Sequence, residues 1–248
     1  MSSEKSCIVR HFNYFHPVSD EDRELLAQLE DSATPVRAGT ILWEEQDEAA
    51  EFSTLKAGWA FSYRNLENGS RQILDIYLPG DIIGLREFAF SQRLAGVQMI
   101  EDGEICFFPH RNLVNIFHRS FTLTSILFAV ASRQQVMLTE RLVNLARRNA
   151  RQKLAHFLLE MCQRLKQTHG NGCESFRLPL SQEVLADLLG LSTVHVSRTF
   201  TALSDDGLVF RDRYNVKIPD LEALKQEAGF DDRYLIENMR PLFNGAKA

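Results

Sequence analysis

One stretch constrains this chain more than any other: residues 180–219, LSQEVLADLLGLSTVHVSRTFTALSDDGLVFRDRYNVKIP. Ser181 is placed to cap a helix, its hydroxyl accepting from an orphan N–H of the first turn. Val184, Leu185, Leu188 and Leu189 then recur at helical spacing. Gly190 stands where a sharp turn needs a residue tolerant of positive φ. Leu191 is the apolar plug of that turn, and Ser192 caps a second helix running from Thr193 to about Ser204. On this helix Val196, Phe200 and Leu203 share one side and are expected in the core. Val194, Arg198 and Thr201 lie opposite, flanked by His195 and Ser197. An outer face with an arginine and few acids is what a helix lying in a major groove requires. Asp205-Asp206-Gly207 ends the helix. Residues 208–210 and 216–218 are expected to form a hairpin that turns at 212–215, with Arg211 and Arg213 near its tip suited to phosphate contacts. Taken together, the stretch reads as a winged helix-turn-helix; the bland alternative is a structural αα-hairpin.

Charge agrees with the first reading. The 248 residues carry a net charge of −5, which argues against a chain that coats nucleic acid over its whole surface. Residues 144–219 nevertheless hold 11 Lys and Arg against 7 Asp and Glu, while residues 1–143 hold 13 against 20. The basic segment is the one that holds the helix-turn-helix. No apolar run reaches the ~18 residues of a membrane span, and the N-terminus lacks a secretory h-region. A cytoplasmic protein is expected, with no membrane partner. Cys7, Cys106, Cys162 and Cys173 stand far apart without C-x-x-C, so neither a structural disulfide nor a metal site is expected. Cys162 and Cys173 would respond to redox only if a cation lowered their pKa.

Upstream, the chain changes period twice. Residues 1–33 look helical, with Ser19 and Asp22 resembling a capping box. From Val36, short strand-like runs follow at 40–43, 52–55, 59–63 and 72–77, and Asn68-Gly69 marks a hairpin. Residues 96–108 read as another hairpin turning at Asp102-Gly103. Regular short strands without intervening helices suggest a β-roll or jelly roll. Residues 123–145 then form a long helix with Leu127, Val130, Gln134, Met137, Leu138, Arg141, Leu142 and Leu145 on a broad stripe. A helix of that length outspans a small roll, so its stripe is expected to pack on the roll and on a second copy of itself. The expected class is α+β, divided into a roll (1–118), a dimerisation helix (119–145), a winged helix-turn-helix domain (146–219) and a tail (220–248) of no assigned purpose.

The segment SQEVLADLLGLSTVHVSRTFTALSDDGLV resembles the DNA-binding domain of the Crp/Fnr regulators. Leu78-Pro79-Gly80-Asp81-Ile82-Ile83-Gly84 resembles the P-G-D-x-x-G turn of that family's cyclic-nucleotide-binding β-rolls, and Asn144-Leu145-Ala146 resembles its hinge. The resemblance implies a homodimeric transcription regulator with a sensor roll, reading a near-palindromic duplex site and working with RNA polymerase. It implies that Gln182, Ser192 and Thr193, with the helix N-termini, fix phosphates, that Ser181 also lies at the DNA, and that Arg198 reads a guanine. Many members carry a Glu where this chain has Val194. A half-site altered at that base pair is therefore expected, a thymine methyl being the natural partner of valine.

The family's sensing residues carry over poorly. Cyclic-AMP-binding members have a Glu after the last Gly of P-G-D-x-x-G and an Arg-Ser pair downstream. Here Gly84 is followed by Leu85, and Arg93 by Leu94. The candidate effector pocket comprises Gly84, Leu85, Arg86, Glu87, Arg93, Leu94 and Thr139, with Arg86 and Glu87 placing charge nearby or pairing with each other. Unpaired polar groups cost about 1–3 kcal/mol each, so cyclic AMP is not the expected effector. An iron–sulfur cluster is not expected either, since only Cys7 lies near the N-terminus and thiolates are too few. Haem ligation by His11, His16, His110 or His118 stays open, and the cofactor is unknown. No nucleotide-binding, hydrolase or metalloprotease motif is found, so the chain is not expected to be an enzyme. The rival class is a ligand-binding or interaction module whose winged helix docks a protein.

Overall fold

The computed structural model describes residues 6–169, 174–235 and 239. They form two compact units. In the first, two N-terminal helices, α1 (Cys7–Phe15) and α2 (Asp20–Ala27), precede a two-sheet roll. The capping box at α2 forms as expected: the Ser19 hydroxyl accepts from Asp22 N, and the Asp22 carboxylate accepts from Ser19 N. The strands are β1 (Thr34–Val36), β2 (Ile41–Trp43), β3 (Glu51–Ala57), β4 (Ala60–Asn65), β5 (Arg71–Tyr77), β6 (Ile82–Ile83), β7 (Gly96–Met99) and β8 (Gly103–Pro109). One sheet has the order β1-β8-β3-β6 and the other β2-β7-β4-β5, with antiparallel pairing.

The first sheet is covered on both faces. Leu55, Ile83 and Ile105 face the roll interior with Trp43, Tyr77, Val97 and Met99. Phe52, Ile82 and Phe108, offset along the same strands, pack with Ile8, Phe12, Leu26, Ile116 and Leu123. Period-2 alternation therefore sends apolar side chains to both sides. Met239 joins this second cluster. The β7–β8 hairpin expected from sequence does not form. β7 and β8 lie in different sheets, and residues 100–102 carry the chain between them. Gly103 is needed there, because a Cβ would come within 2.1 Å of the Ala57 carbonyl oxygen.

After α3 (His110–Arg119), α4 runs unbroken from Phe121 to Arg147. It contains no Gly or Pro. Its buried and exposed sides differ from the expected stripe. Leu127 and Val130 lie in the core of the first unit, and Met137 is buried. Gln134 is half-buried. The Arg141 guanidinium donates to Glu160 (2.8 Å) and to the Leu74 carbonyl (2.6 Å), and Leu145 packs beside Gly190. Of the eight residues expected on the dimer stripe, only Leu138 and Leu142 are exposed apolar side chains. The exposed seam is instead Phe121, Phe128, Ala131, Leu138 and Leu142, with Gln135 between. These positions follow the 3–4 spacing of a coiled-coil seam.

The second unit holds α5 (Ala150–His169), α6 (Gln182–Leu189), α7 (Thr193–Asp205), α8 (Leu221–Ala228) and the sheet β10-β11-β9 (Phe210–Asp212, Asn215–Lys217, Ser175–Arg177). The tip of the β4–β5 hairpin belongs here too: Arg71 pairs with Asp187 at 2.8 Å, and the Gln72 amide donates to the Leu188 carbonyl. Residues 220–235, expected to be a tail, are part of the domain. α8 packs on α5, with Leu224, Ala228 and Leu235 buried. Arg151 grips Glu227 through two nitrogens, at 3.0 and 3.2 Å. Cys162, buried on α5, is disulfide-bonded, whereas Cys7 and Cys106 are free. The expectation of no disulfide was wrong because approach of Cα atoms in the fold, not sequence spacing, decides pairing. Cys173 lies outside the described residues. Burial pushes the Cys106 thiol up to about 11 and raises the Cys7 thiol, so neither is an activated thiolate.

Candidate nucleic-acid interface and effector pocket

Two capped helices build the interface. The Ser181 hydroxyl accepts from Val184 N at 3.1 Å, and the Ser192 hydroxyl accepts from His195 N at 3.2 Å. Each cap uses an acceptor lone pair and leaves the O–H free to donate to a phosphate. Gly190 adopts φ 61°, ψ 43°, the left-handed turn between α6 and α7, and Leu191 N donates to the Ala186 carbonyl. Ser181, Gln182, Ser192 and Thr193 are all exposed at the two helix N-termini, where backbone N–H groups favour anions.

The outer face of α7 carries Val194, His195, Arg198 and Thr201, all exposed, with Ser197 half-buried beside them. Among the described residues Arg198 has no ion-pair partner. The inner face differs by one residue from the expected set. Val196, Thr199 and Leu203 are buried, the Thr199 hydroxyl donating to the His195 carbonyl at 2.7 Å. Phe200 is only half-buried. Its ring lies under Arg211, whose guanidinium carbon is 4.8 Å from the ring centroid.

That contact removes Arg211 from the expected phosphate set. Its guanidinium also donates to the Leu180 and Arg213 carbonyls, and burial lowers its pKa from the usual arginine value. Arg211 thus joins the wing to the start of α6. Arg213, in the two-residue turn of the wing at φ 48°, is exposed. The third strand of the wing sheet, β9, was not foreseen. It is three residues long and follows a helix, so no alternation announces it.

In the roll, the residues expected to line the effector pocket are engaged by the chain itself. Arg93 is 3% exposed and Glu87 equally so. The Arg93 Nη1 donates to Glu87 Oε2 at 3.2 Å, its Nη2 donates to the Glu51 carbonyl, and its guanidinium lies 3.9 Å from the Trp43 ring centroid. Glu87 Oε1 accepts from Leu94 N. Arg86 pairs with the buried Asp75, not with Glu87. A Cβ on Gly84 would come within 3.1 Å of both Arg93 and Phe52. Leu85 packs against the apolar cluster, and Leu94 is exposed. Thr139 is exposed on α4, its hydroxyl donating to the Gln135 carbonyl. The cation that a cyclic phosphate would meet, Arg93, is thus already paired with Glu87 inside the roll. Of the histidines, the ring Nδ1 of His11 lies 3.0 Å from the Gly80 carbonyl and that of His110 lies 2.9 Å from the Ala50 carbonyl. His16 is half-buried and His118 exposed. No group of three or more His, Cys, Asp or Glu among the described residues is arranged to hold a metal ion.

Comparison with known proteins matches this architecture. A Crp-like helix-turn-helix domain model matches residues 152–227, and a cyclic nucleotide-binding domain model matches residues 33–120. The chain belongs to the Crp/Fnr superfamily of transcription regulators. It is 26% identical over 224 residues to the transcriptional regulatory protein btr of Bordetella pertussis, covering 90% of this chain and 92% of btr. It is 27% identical over 230 residues to the transcriptional activator FnrL of Cereibacter sphaeroides, covering 91% of each. The structure of FixK2 from Bradyrhizobium japonicum superposes with a TM-score of 0.72 at 23% identity, covering 81% of this chain and 98% of FixK2. The α+β arrangement of roll, long helix and helix-turn-helix is thus shared. No helix among the described residues is long and apolar enough to cross a membrane.

Proposed function

We propose that this regulator binds duplex DNA as a homodimer, each copy presenting α7 to the major groove of a near-palindromic site. The observation that carries the reading is Arg198, exposed on α7, a helix that follows a second capped helix, with no ion-pair partner among the described residues. Ser181, Gln182, Ser192, Thr193 and Arg213 position the phosphates, and Arg198 donates to guanine O6 and N7. The seam of Phe121, Phe128, Ala131, Leu138 and Leu142 joins two copies of α4, in place of the stripe expected from sequence. Half-sites then lie about one helical turn apart. Bound in the cytoplasm next to a promoter, such a dimer has RNA polymerase as its partner. Its signal is not cyclic AMP, because Glu87, Glu51 and Trp43 already engage Arg93.

A salt titration of binding to a selected duplex tests this. The logarithm of affinity should fall steeply and linearly with the logarithm of salt, by about 0.9 per phosphate neutralised. Micromolar cyclic AMP should leave every point unchanged. A shallow salt dependence, as in docking to a protein, or a large gain with cyclic AMP would overturn the corresponding part of the proposal.

A further inference from the structure

Val194 is a second feature of α7 that the fold does not explain. It is 57% exposed, on the first turn of the helix, while Val196 and Leu203 supply the buried face. An isolated exposed apolar residue is ordinary on a protein surface. The position of this one is not neutral. It stands four residues before Arg198, so the two side chains share a face of the helix, one turn apart. Valine has no donor or acceptor. It offers two methyl groups, held by χ1 stiffness in a single helical rotamer. Residues near the N-terminus of a groove-binding helix are those that reach base edges.

Resting on the DNA-binding reading above, we infer that Val194 is a specificity-determining residue that recognises the C5-methyl group of a thymine. The axial rise between residues 194 and 198 is about 6 Å, against ~3.4 Å per base along a strand. The thymine therefore lies one or two base pairs from the guanine read by Arg198. The major-groove edge of thymine presents the C5-methyl, and apolar side chains are its partners. His195 and Thr201 border the same face and supply polar reach to the adjacent bases or phosphates, but neither can replace a methyl-to-methyl contact at the position of Val194. The half-site should thus combine one position read by hydrogen bonds with a neighbour read by apolar contact.

The experiment isolates the methyl group. A half-site is first obtained by selection from random duplexes. Each thymine in it is then replaced in turn by deoxyuridine, which keeps every hydrogen-bonding atom and lacks only the methyl. At one thymine, one or two base pairs from the guanine lost in specificity on Arg198→Ala, affinity should drop about fourfold per half-site. Cytosine at that position should be improved by 5-methylation. Val194→Ala, with an unchanged melting temperature, should bind the thymine and deoxyuridine sites equally. If deoxyuridine is tolerated at every thymine while steep salt dependence and the guanine requirement persist, the inference is overturned and the DNA reading stands. If salt-dependent duplex binding is itself missing, both fall.

Discussion

Arg93 in the roll and Arg198 on α7 are both among the arginines that the sequence marks for ligands, and the fold treats them oppositely. Arg93 is buried, so its charge needed compensation within the chain; Glu87, the Glu51 carbonyl and the Trp43 ring supply it. Arg198 remains in water, where an unpaired cation costs little, and stays available. A buried charge must be answered by the time the chain folds, because desolvating it alone is prohibitive. A surface charge can wait for its partner. The same arginine chemistry therefore serves structure in one place and stays in solvent in the other.

The largest test of this contrast lies along α4, where Met137 faces inward and Phe128, 75% exposed, faces outward. Met137→Asp places a carboxylate at a buried position and should cost several kcal/mol, leaving little folded protein. Phe128→Asp should leave circular dichroism intact but yield monomers in sedimentation, with much weaker binding to the full site. A Phe128→Asp protein that remains dimeric would show that the seam is not the interface.

Next in size is the arginine pair itself. Arg93→Ala strands Glu87 and should destabilise the chain by about 3–5 kcal/mol, measured by urea unfolding, with DNA affinity per folded molecule unchanged. Arg93→Met combined with Glu87→Leu should recover most of that loss. Arg198→Ala should leave unfolding unmoved and remove about 1–3 kcal/mol of discrimination at one base pair. Exchange of these two outcomes would break the contrast.

An effect no larger than the last is a pH dependence. His156 on α5 is buried against Phe230 and Tyr234. Burial, reinforced by Arg148 and Arg141 and opposed by Glu160, holds its pKa down to about 4. The unfolded ring, near 6.5, takes up a proton first as pH falls. Stability is thus complete above about pH 6.5 and declines as pH drops toward 4. At pH 5 the loss is about 2 kcal/mol. Urea melts from pH 7.5 to 5 should show a gradient that shrinks in His156→Leu; equal gradients would mean the native ring titrates normally.

What was legible in the sequence was what neighbouring residues decide. Ser181, Ser192 and Gly190, the Ser19–Asp22 box and the Asn68-Gly69 turn are local devices, and each appears where the residues place it. What failed was phase and partnership. Residues 127, 130, 134 and 137 and residues 128, 131, 135 and 138 both repeat at 3–4 spacing, rotated by one residue. No local rule says which stripe meets the roll and which meets another surface. Arg211 read as a phosphate ligand because its ring partner, Phe200, is eleven residues away in sequence. The β7–β8 run read as a hairpin because nothing in Asp102-Gly103 reveals that the next strand changes sheets. In the effector pocket the missing hydroxyl at Leu94 was readable, whereas the Glu87–Arg93 closure required coordinates.

Met239 gives the molecule an order of assembly. It belongs to the same buried cluster as Ile8, Phe12 and Leu26, so that apolar cluster draws on residues from both extremes of the described chain. During synthesis the strands and the first helices emerge early, yet that cluster is incomplete until residue 239 has left the ribosome.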